Sequence, residues 1–289
     1  MGMIKGIILD VDGVIVGSKK GINNPMPHPH VIAALKHLRE KGIPVSLCTG
    51  KGTFAIKEIV KAAHLNNLHI GDGGAVVMDF FNNAVIEKHG IARTIAKKIL
   101  EVLLSRGTYV ELYTVDGYFI AKDAASDITT KHTVILGRQP ALVDSLSDVV
   151  VTSDVVKIMP VSKDENDKQE IIDALAPYGN TISLQWGLHP TAIPYRFGIV
   201  TAPGISKKSA ALTIARHTGI PLAQTLGVGD GLTDWNFLEV CGFASAMGNA
   251  SEDLKKLVAG RPKGTYYIGP DVNENGVLDI FNHFGLHEY

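Results

Sequence analysis

Three short apolar runs, each closing on a compact oxygen-bearing side chain and a glycine, constrain the fold of this chain more than any other feature. They are Ile7-Ile8-Leu9-Asp10-Val11-Asp12-Gly13, Ile43-Pro44-Val45-Ser46-Leu47-Cys48-Thr49-Gly50 and Leu226-Gly227-Val228-Gly229-Asp230-Gly231. Continuous apolar runs of this length read as strands of a parallel sheet buried on both faces. Helical patterns alternate with them, which makes the chain α/β with crossover helices. Ligands of such sheets bind beyond the carboxyl ends of the strands, where Asp10, Thr49 and Asp230 fall. Asp10 and Asp12 are two apart, so in an extended chain they point to the same side. Taken alone, the first run could equally end at a surface turn, since Asp-Gly is an ordinary turn pair.

The alternation holds to about residue 83. A helix begins at Pro29, aligns Val31, Leu35 and Leu38 on one face, and ends near Gly42. His28-Pro29-His30 reads as helix-start chemistry, because no carboxylate or cysteine stands at metal-ligand spacing beside it. Thr53 is predicted to cap a helix that turns Ile56, Ile59, Val60 and Ala63 inward. His69 to Val77 reads as one further strand closing the series.

From residue 84 the rhythm changes. An amphipathic helix is expected over 93–106, with Ile95, Ile99 and Leu103 aligned. Tyr109–Tyr113 and Tyr118–Ala121 flank Asp116-Gly117 as a hairpin. Strands are expected near 132–137, 154–160, 180–186 and 194–201, and a helix over 164–177. This predicts an antiparallel or mixed sheet with one polar face. The organisation is thus a first domain of residues 1–83 and 203–289 interrupted by a second domain, residues 84–202. After Pro203 the first rhythm resumes: Ser206 caps a helix through 217, a helix carries Trp235, Phe237, Leu238 and Val240, and Phe243–Gly248 precedes a terminal strand and helix.

Composition excludes several classes of partner. With 289 residues, 45% hydrophobic content and a formal net charge of −1, the chain has no basic surplus for nucleic acid or an anionic membrane. No apolar segment reaches membrane-spanning length, and no signal-peptide pattern precedes the first strand. Two cysteines, Cys48 and Cys241, form neither a metal-spaced pair nor a disulfide framework, which fits a cytoplasmic protein.

Adding Asp12 and Asp234 to the rim gathers four carboxylates, which cannot stay together at neutral pH without a cation or shifted pKa values. Oxygen ligands without His or Cys point to a hard metal, most simply Mg²⁺ completed by a substrate phosphate. One carboxylate can then serve as nucleophile and a neighbour as acid and base. Lys207, at a helix start, and the Thr49 hydroxyl with the Gly50 loop amides suit phosphoryl oxygens. No Walker A sequence competes, and Gly227–Gly231 has the wrong spacing for a dinucleotide fingerprint.

Asp10-Val11-Asp12-Gly13, Thr49-Gly50-Lys51, Lys207 and Gly229-Asp230-Gly231-Leu232-Thr233-Asp234 resemble the four ordered motifs of the haloacid dehalogenase superfamily. Gly248-Asn249-Ala250 and Pro203-Gly204-Ile205-Ser206-Lys207 look like its Cof-like, type IIB branch. The resemblance covers residues 4–83 and 203–289. It implies a Rossmann-like core with an inserted α+β cap of the second class, because the long insertion lies between Thr49 and Lys207. It also implies a Mg²⁺-dependent phosphatase for a small phosphorylated metabolite, foremost a sugar phosphate. Asp10 would become an aspartyl phosphate. Asp12 would protonate the leaving group and then activate water, while its backbone carbonyl touches the metal. Asp230 and Asp234 would hold the metal, and Thr49 and Lys207 the phosphoryl oxygens. Val14, Lys51, Gly73 and Thr233 depart from the commonest pattern without removing a chemical role.

In the insert, Arg138, Lys157 and Arg196 read as solvated surface charge, and Tyr113, Tyr118, Trp186 and Tyr195 as core. Two further readings of the whole chain are a phosphomutase and a sensor that binds metal and phosphate without turnover. The intact pair Asp10 and Asp12 speaks against the sensor.

Overall fold

The computed structural model describes residues 3–286. Five parallel strands form its central sheet. β1 (Gly6–Leu9) leads through α1 (Pro29–Glu40) to β2 (Val45–Leu47). His28 caps α1, its Nδ1 accepting from the His30 amide, so the histidine pair does serve the helix start. Beyond β2, Thr53 opens a 3-10 turn instead of capping: its side chain is buried and Gly52 holds the cap position without a side-chain bond. α2 (Lys57–Ala62) follows, with Ile56, Ile59, Val60 and Ala63 inward as expected.

The single strand expected over 69–77 is two strands. β3 (Leu68–Gly71) and β4 (Val76–Asp79) are antiparallel, and β5 (Ala84–Lys88) completes a three-stranded sheet. The physical reason is the turn Asp72-Gly73-Gly74, where all three residues have positive φ and reverse the chain. β3 stays attached to the central sheet through a parallel bridge between Cys48 and Ile70.

The second sheet belongs to the insert and has six strands. α3 (Arg93–Ser105) precedes the hairpin of β6 (Tyr109–Thr114) and β7 (Gly117–Ala121). The segment expected as a strand near 132–137 lies in a helix, α4 (Asp127–Leu136). Its Thr, Val and Ile content suits a strand, but a Ser126–Thr129 capping box starts it and Gly137, in the left-handed conformation, stops it. β8 (Ala141–Val143) and α5 (Leu146–Thr152) were not foreseen. β9 (Lys157–Ser162), α6 (Glu165–Leu175), β10 (Ser183–Gly187) and β11 (Arg196–Thr201) complete the insert. The strand order is β10-β11-β9-β6-β7-β8, antiparallel except for β7 with β8.

One face of this sheet packs on α3, α5 and α6 through Val110, Leu112, Ile158 and Val200. The other is the face expected to be polar. It carries Glu111, Tyr113 and Lys157, yet it is buried against the core around Phe54, Ala75 and Val76. The polar groups are there, but they are paired with one another and with the core instead of with water.

α7 (Lys207–Thr218), capped by Ser206, returns the chain to the central sheet. β12 (Thr225–Gly229), α8 (Trp235–Leu238), β13 (Phe243–Ala246), α9 (Glu252–Ala259), β14 (Tyr266–Ile268) and α10 (Gly276–His283) follow. The strand order β14-β13-β12-β1-β2 puts β1 between the two halves of the chain. Ile7 and Leu9 face the α1 and α10 side, while Ile8 faces α7 and α8, the alternation a doubly covered strand requires. Among the described residues no helix is long and apolar enough to cross a membrane.

Candidate active site

The register fixes where the acids meet. Leu9 pairs with Leu47 on one side and Val228 on the other, so Asp10, Thr49 and Asp230 leave the sheet at one rim. Asp10 is 8% exposed, and its amide donates to the Val228 carbonyl. Oxygens of Asp10, Asp230 and Asp234 all lie within 4.8 Å of one another. The Asp234 carboxylate also accepts from the amides of Asp230 (3.0 Å) and Gly231 (2.9 Å), which locks it beneath the loop.

Lys207 is the buried cation of this cluster. At the first turn of α7 its Nζ donates to Asp10 Oδ1 at 2.8 Å and Asp234 Oδ1 at 2.6 Å. Its neighbour Lys208 turns outward to Glu239 instead. Burial opposes the Lys207 charge, but Asp10 and Asp234 hold its pKa well above the usual lysine range.

Asp12 stands apart from the three clustered carboxylates. Lys51 Nζ donates to its Oδ1 at 2.7 Å, and His189 Nε2, from the insert, lies 3.6 Å away. Thr191 directs two contacts at His189 Nδ1, through its amide and its hydroxyl. Burial would raise the Asp12 pKa, but Lys51 and His189 outweigh it and hold the carboxyl well below its ordinary value. Asp10 goes the other way: burial first, then Asp234, push it up to about 7 against the pull of Lys207. Asp230 is raised well above its ordinary value by burial and by Asp10.

Thr49 is buried, and its hydroxyl accepts from the Lys51 amide at 3.1 Å, curling the chain around Gly50. Gly13 turns with φ +75°, a conformation costly for other residues, and a Cβ there would lie 1.9 Å from Asp230 Oδ2. Asn249 links these parts, its Nδ2 donating to the Gly13 carbonyl at 2.9 Å and reaching Asp230 Oδ2 at 3.4 Å.

The residues fit a divalent cation. Four carboxylates face two lysine ammonium groups, leaving two negative charges in a largely buried space. Burial raises the pKa values of Asp10 and Asp230 first and the neighbouring carboxylates raise them further, so a cation would relieve both, and an oxygen-only donor set suits Mg²⁺.

Three residues at the site escaped the sequence reading. Lys157 was expected on the surface, but its side chain is wholly buried and pairs with Asp72 at 2.9 Å. Burial pushes Asp72 up and Lys157 down, each opposed by the partner's charge. A lysine inside Val155-Val156-Lys157-Ile158-Met159 was the available signal, since a charge in an apolar strand must be paired. His189 and Asp72 carried no comparable local signal. Of the other insert cations, Arg138 lies over the Phe54 ring and Arg196 pairs with Glu165. Tyr113 and Tyr118 are buried, as core residues should be.

The chain is similar to several known proteins over nearly its whole length. The phosphatase YwpJ of Bacillus subtilis is 24% identical, with 88% of this chain and 93% of that protein aligned. The 5-amino-6-(5-phospho-D-ribitylamino)uracil phosphatase YwtE of the same organism is also 24% identical, over 95% and 96% of the two chains. A solved haloacid dehalogenase subclass IIB sugar phosphatase superposes with TM-score 0.79 at 22% identity, over 98% of this chain and all of that one. That structure shares the fold of this chain, inserted domain included. The sequence profile of the haloacid dehalogenase-like hydrolases matches residues 7–281, and the chain belongs to that family.

Proposed function

We propose that this chain is a cytoplasmic phosphatase for a small phosphorylated metabolite, foremost a sugar phosphate, working through phosphorylation of Asp10. The observation that carries the reading is the meeting of Asp10, Asp230, Asp234 and Lys207 in one buried cluster beside Asp12. The named phosphatase activities of the relatives support it, as do the unpaired cysteines for the compartment. Residues 1–83 and 203–289 form the catalytic unit and residues 84–202 the insert, with β5 the strand by which the chain departs.

Asp10, Asp230 and Asp234 would hold Mg²⁺, with the Asp12 backbone carbonyl beside them, and the ion supplies charge neutralisation for the phosphoryl oxygens. In the first step an Asp10 oxygen attacks phosphorus, the bond to the leaving oxygen breaks, and Asp12 gives that oxygen its proton. In the second, Asp12 takes a proton from water, the water oxygen attacks phosphorus, and the Asp10–phosphorus bond breaks to release phosphate. Thr49, Gly50 and Lys207 hold the phosphoryl oxygens. Lys51 would shift from Asp12 toward the arriving phosphoryl group, which frees Asp12 to carry its proton. The seated insert keeps bulk water out.

Phosphate release from a panel of sugar phosphates and p-nitrophenyl phosphate, with Mg²⁺ and with EDTA, tests the proposal. Turnover should require Mg²⁺ and vanish in Asp10→Asn. A folded wild type that releases no phosphate from any of them would refute it.

A further inference from the structure

We propose that Lys157, carried by the insert, is a positioning residue for the Thr49–Lys51 turn, so that this turn is set only when the insert is seated. The inference rests on the phosphatase reading for what the turn holds. It does not rest on it for the contacts themselves.

Lys157 begins β9 on the sheet face that meets the core. Its Nζ has three neighbours: Asp72 Oδ1 at 2.9 Å, the Gly50 carbonyl oxygen at 2.9 Å, and the Tyr113 ring centroid at 3.6 Å. Two of the three belong to the catalytic core. Asp72 and Gly50 are joined by the backbone: the Asp72 amide donates to the Lys51 carbonyl at 2.7 Å, and the Gly73 amide to the Thr49 carbonyl at 3.1 Å. One ammonium group therefore grips both strands of the loop pair that carries Thr49. From Lys51 the contact continues to the Asp12 carboxylate.

Steric evidence points the same way, independently of charge. A Cβ on Gly50 would lie 2.9 Å from Ile199 Cδ1, and one on Gly73 would lie 2.7 Å from Ile199 Cγ2. Ile199 is on β11, so the insert presses directly on both halves of the turn. Asp72 itself has φ +53°, a backbone state that a residue other than glycine keeps only when its surroundings enforce it. Its ion pair with Lys157 is part of that enforcement.

The energetics suit a joint that opens and closes. A buried ion pair gains in Coulomb attraction about what it loses in desolvation. Lifting the insert hydrates both charges, and seating it pairs them. Removing one partner alone leaves a buried charge uncompensated, whereas removing both does not. That difference separates a role in positioning from a role in stability.

The experiment uses the full chain as wild type, Lys157→Met, and the double variant Lys157→Met with Asp72→Asn. Asparagine tolerates the left-handed backbone at position 72. Thermal midpoint, saturating turnover, KM, and the affinity for inorganic phosphate by calorimetry are read on each. The single variant should lose stability, and the double variant should recover it. Both should bind phosphate more weakly and turn over more slowly, each by on the order of tenfold or more. Wild-type turnover and phosphate affinity in the double variant would overturn the proposal, since the pair would then serve the fold alone. If the single variant does not fold, the double variant carries the test. If the wild type binds phosphate but hydrolyses nothing, the phosphatase reading fails while the phosphate affinities still decide the role of Lys157. A wild type that binds no phosphate overturns both.

Discussion

Replacing Gly13 by alanine should abolish the work of Asp230 at a small cost in stability, and Gly42→Ala provides its control. Both glycines sit at nearly the same φ, +75° and +78°. A Cβ at Gly42 meets nothing within 4 Å, whereas one at Gly13 would lie 1.9 Å from Asp230 Oδ2 and 2.4 Å from Cγ. Left-handed backbone costs an L-residue about 1–2 kcal/mol. Alanine returns about 0.4–1 kcal/mol by restricting the unfolded chain. Each variant should therefore lose about 1 kcal/mol net, read as a shift in denaturation midpoint. The difference lies in what must move. At Gly13 the relief comes from swinging the Asp230 carboxylate away from Asp10, and a displacement of this size costs on the order of a hundredfold in rate. Gly42→Ala should keep turnover within about threefold of wild type, a change too small to reflect misplaced reacting groups. The reasoning is refuted if Gly13→Ala keeps comparable turnover, or if Gly42→Ala loses as much as Gly13→Ala.

Three further outcomes are expected. Burial holds His69 neutral with its pKa pushed down to about 4, from an ordinary 6.5. The unfolded chain binds that proton first, so stability present above pH 6.5 is lost as pH falls toward 4, by about 3 kcal/mol in full. Urea midpoints at several pH values should show this slope in wild type and a shallower one in His69→Gln; equal slopes would sink the assignment. Ser206 accepts from the Ser209 amide at the head of α7, so Ser206→Ala should cost about 1 kcal/mol in a denaturant titration, and an unchanged midpoint would contradict the capping role. Mg²⁺ at a hundred times its dissociation constant should stabilise the fold by about 2.7 kcal/mol. That shift should be missing with EDTA and in Asp234→Asn, and its absence from wild type would count against the metal site.

Much of the core was readable because burial leaves a parallel strand few options. Ile7-Ile8-Leu9 and Leu226–Gly229 can be polar only at their ends, so Asp10 and Asp230 stand out. Lys207 was separable from Lys208 by its place after Ser206, because a cap fixes which residue opens the helix. The insert was harder. Residues 127–136 are rich in β-branched side chains, and only the flanking Ser126 and Gly137 decide for a helix. The strand expected over 69–77 broke at Asp72-Gly73-Gly74, where all three residues have positive φ and a Cβ on either glycine would meet Ile199 of the insert or Ser206. Lys157 was read as surface because lysine usually is. Its partner Asp72 lies in the turn between β3 and β4, far off in sequence, and no local pattern joins them. His189 reaches Asp12 from a loop whose placement depends on the seating of the whole insert.

The position of β1 between β2 and β12 also sets an order of assembly. Ile7 pairs with Val45 soon after synthesis begins, but Gly6 must wait for Thr225. The insert lies between those events, and its sheet closes on α3, α5 and α6 with a hydrophobic core of its own. Closing the longer loop costs more chain entropy, so distant pairings are the later ones. In the growing chain the insert can therefore collapse while β1 is still half unpaired. The rim where Asp10 meets Asp230 can form only once both halves of the chain are present.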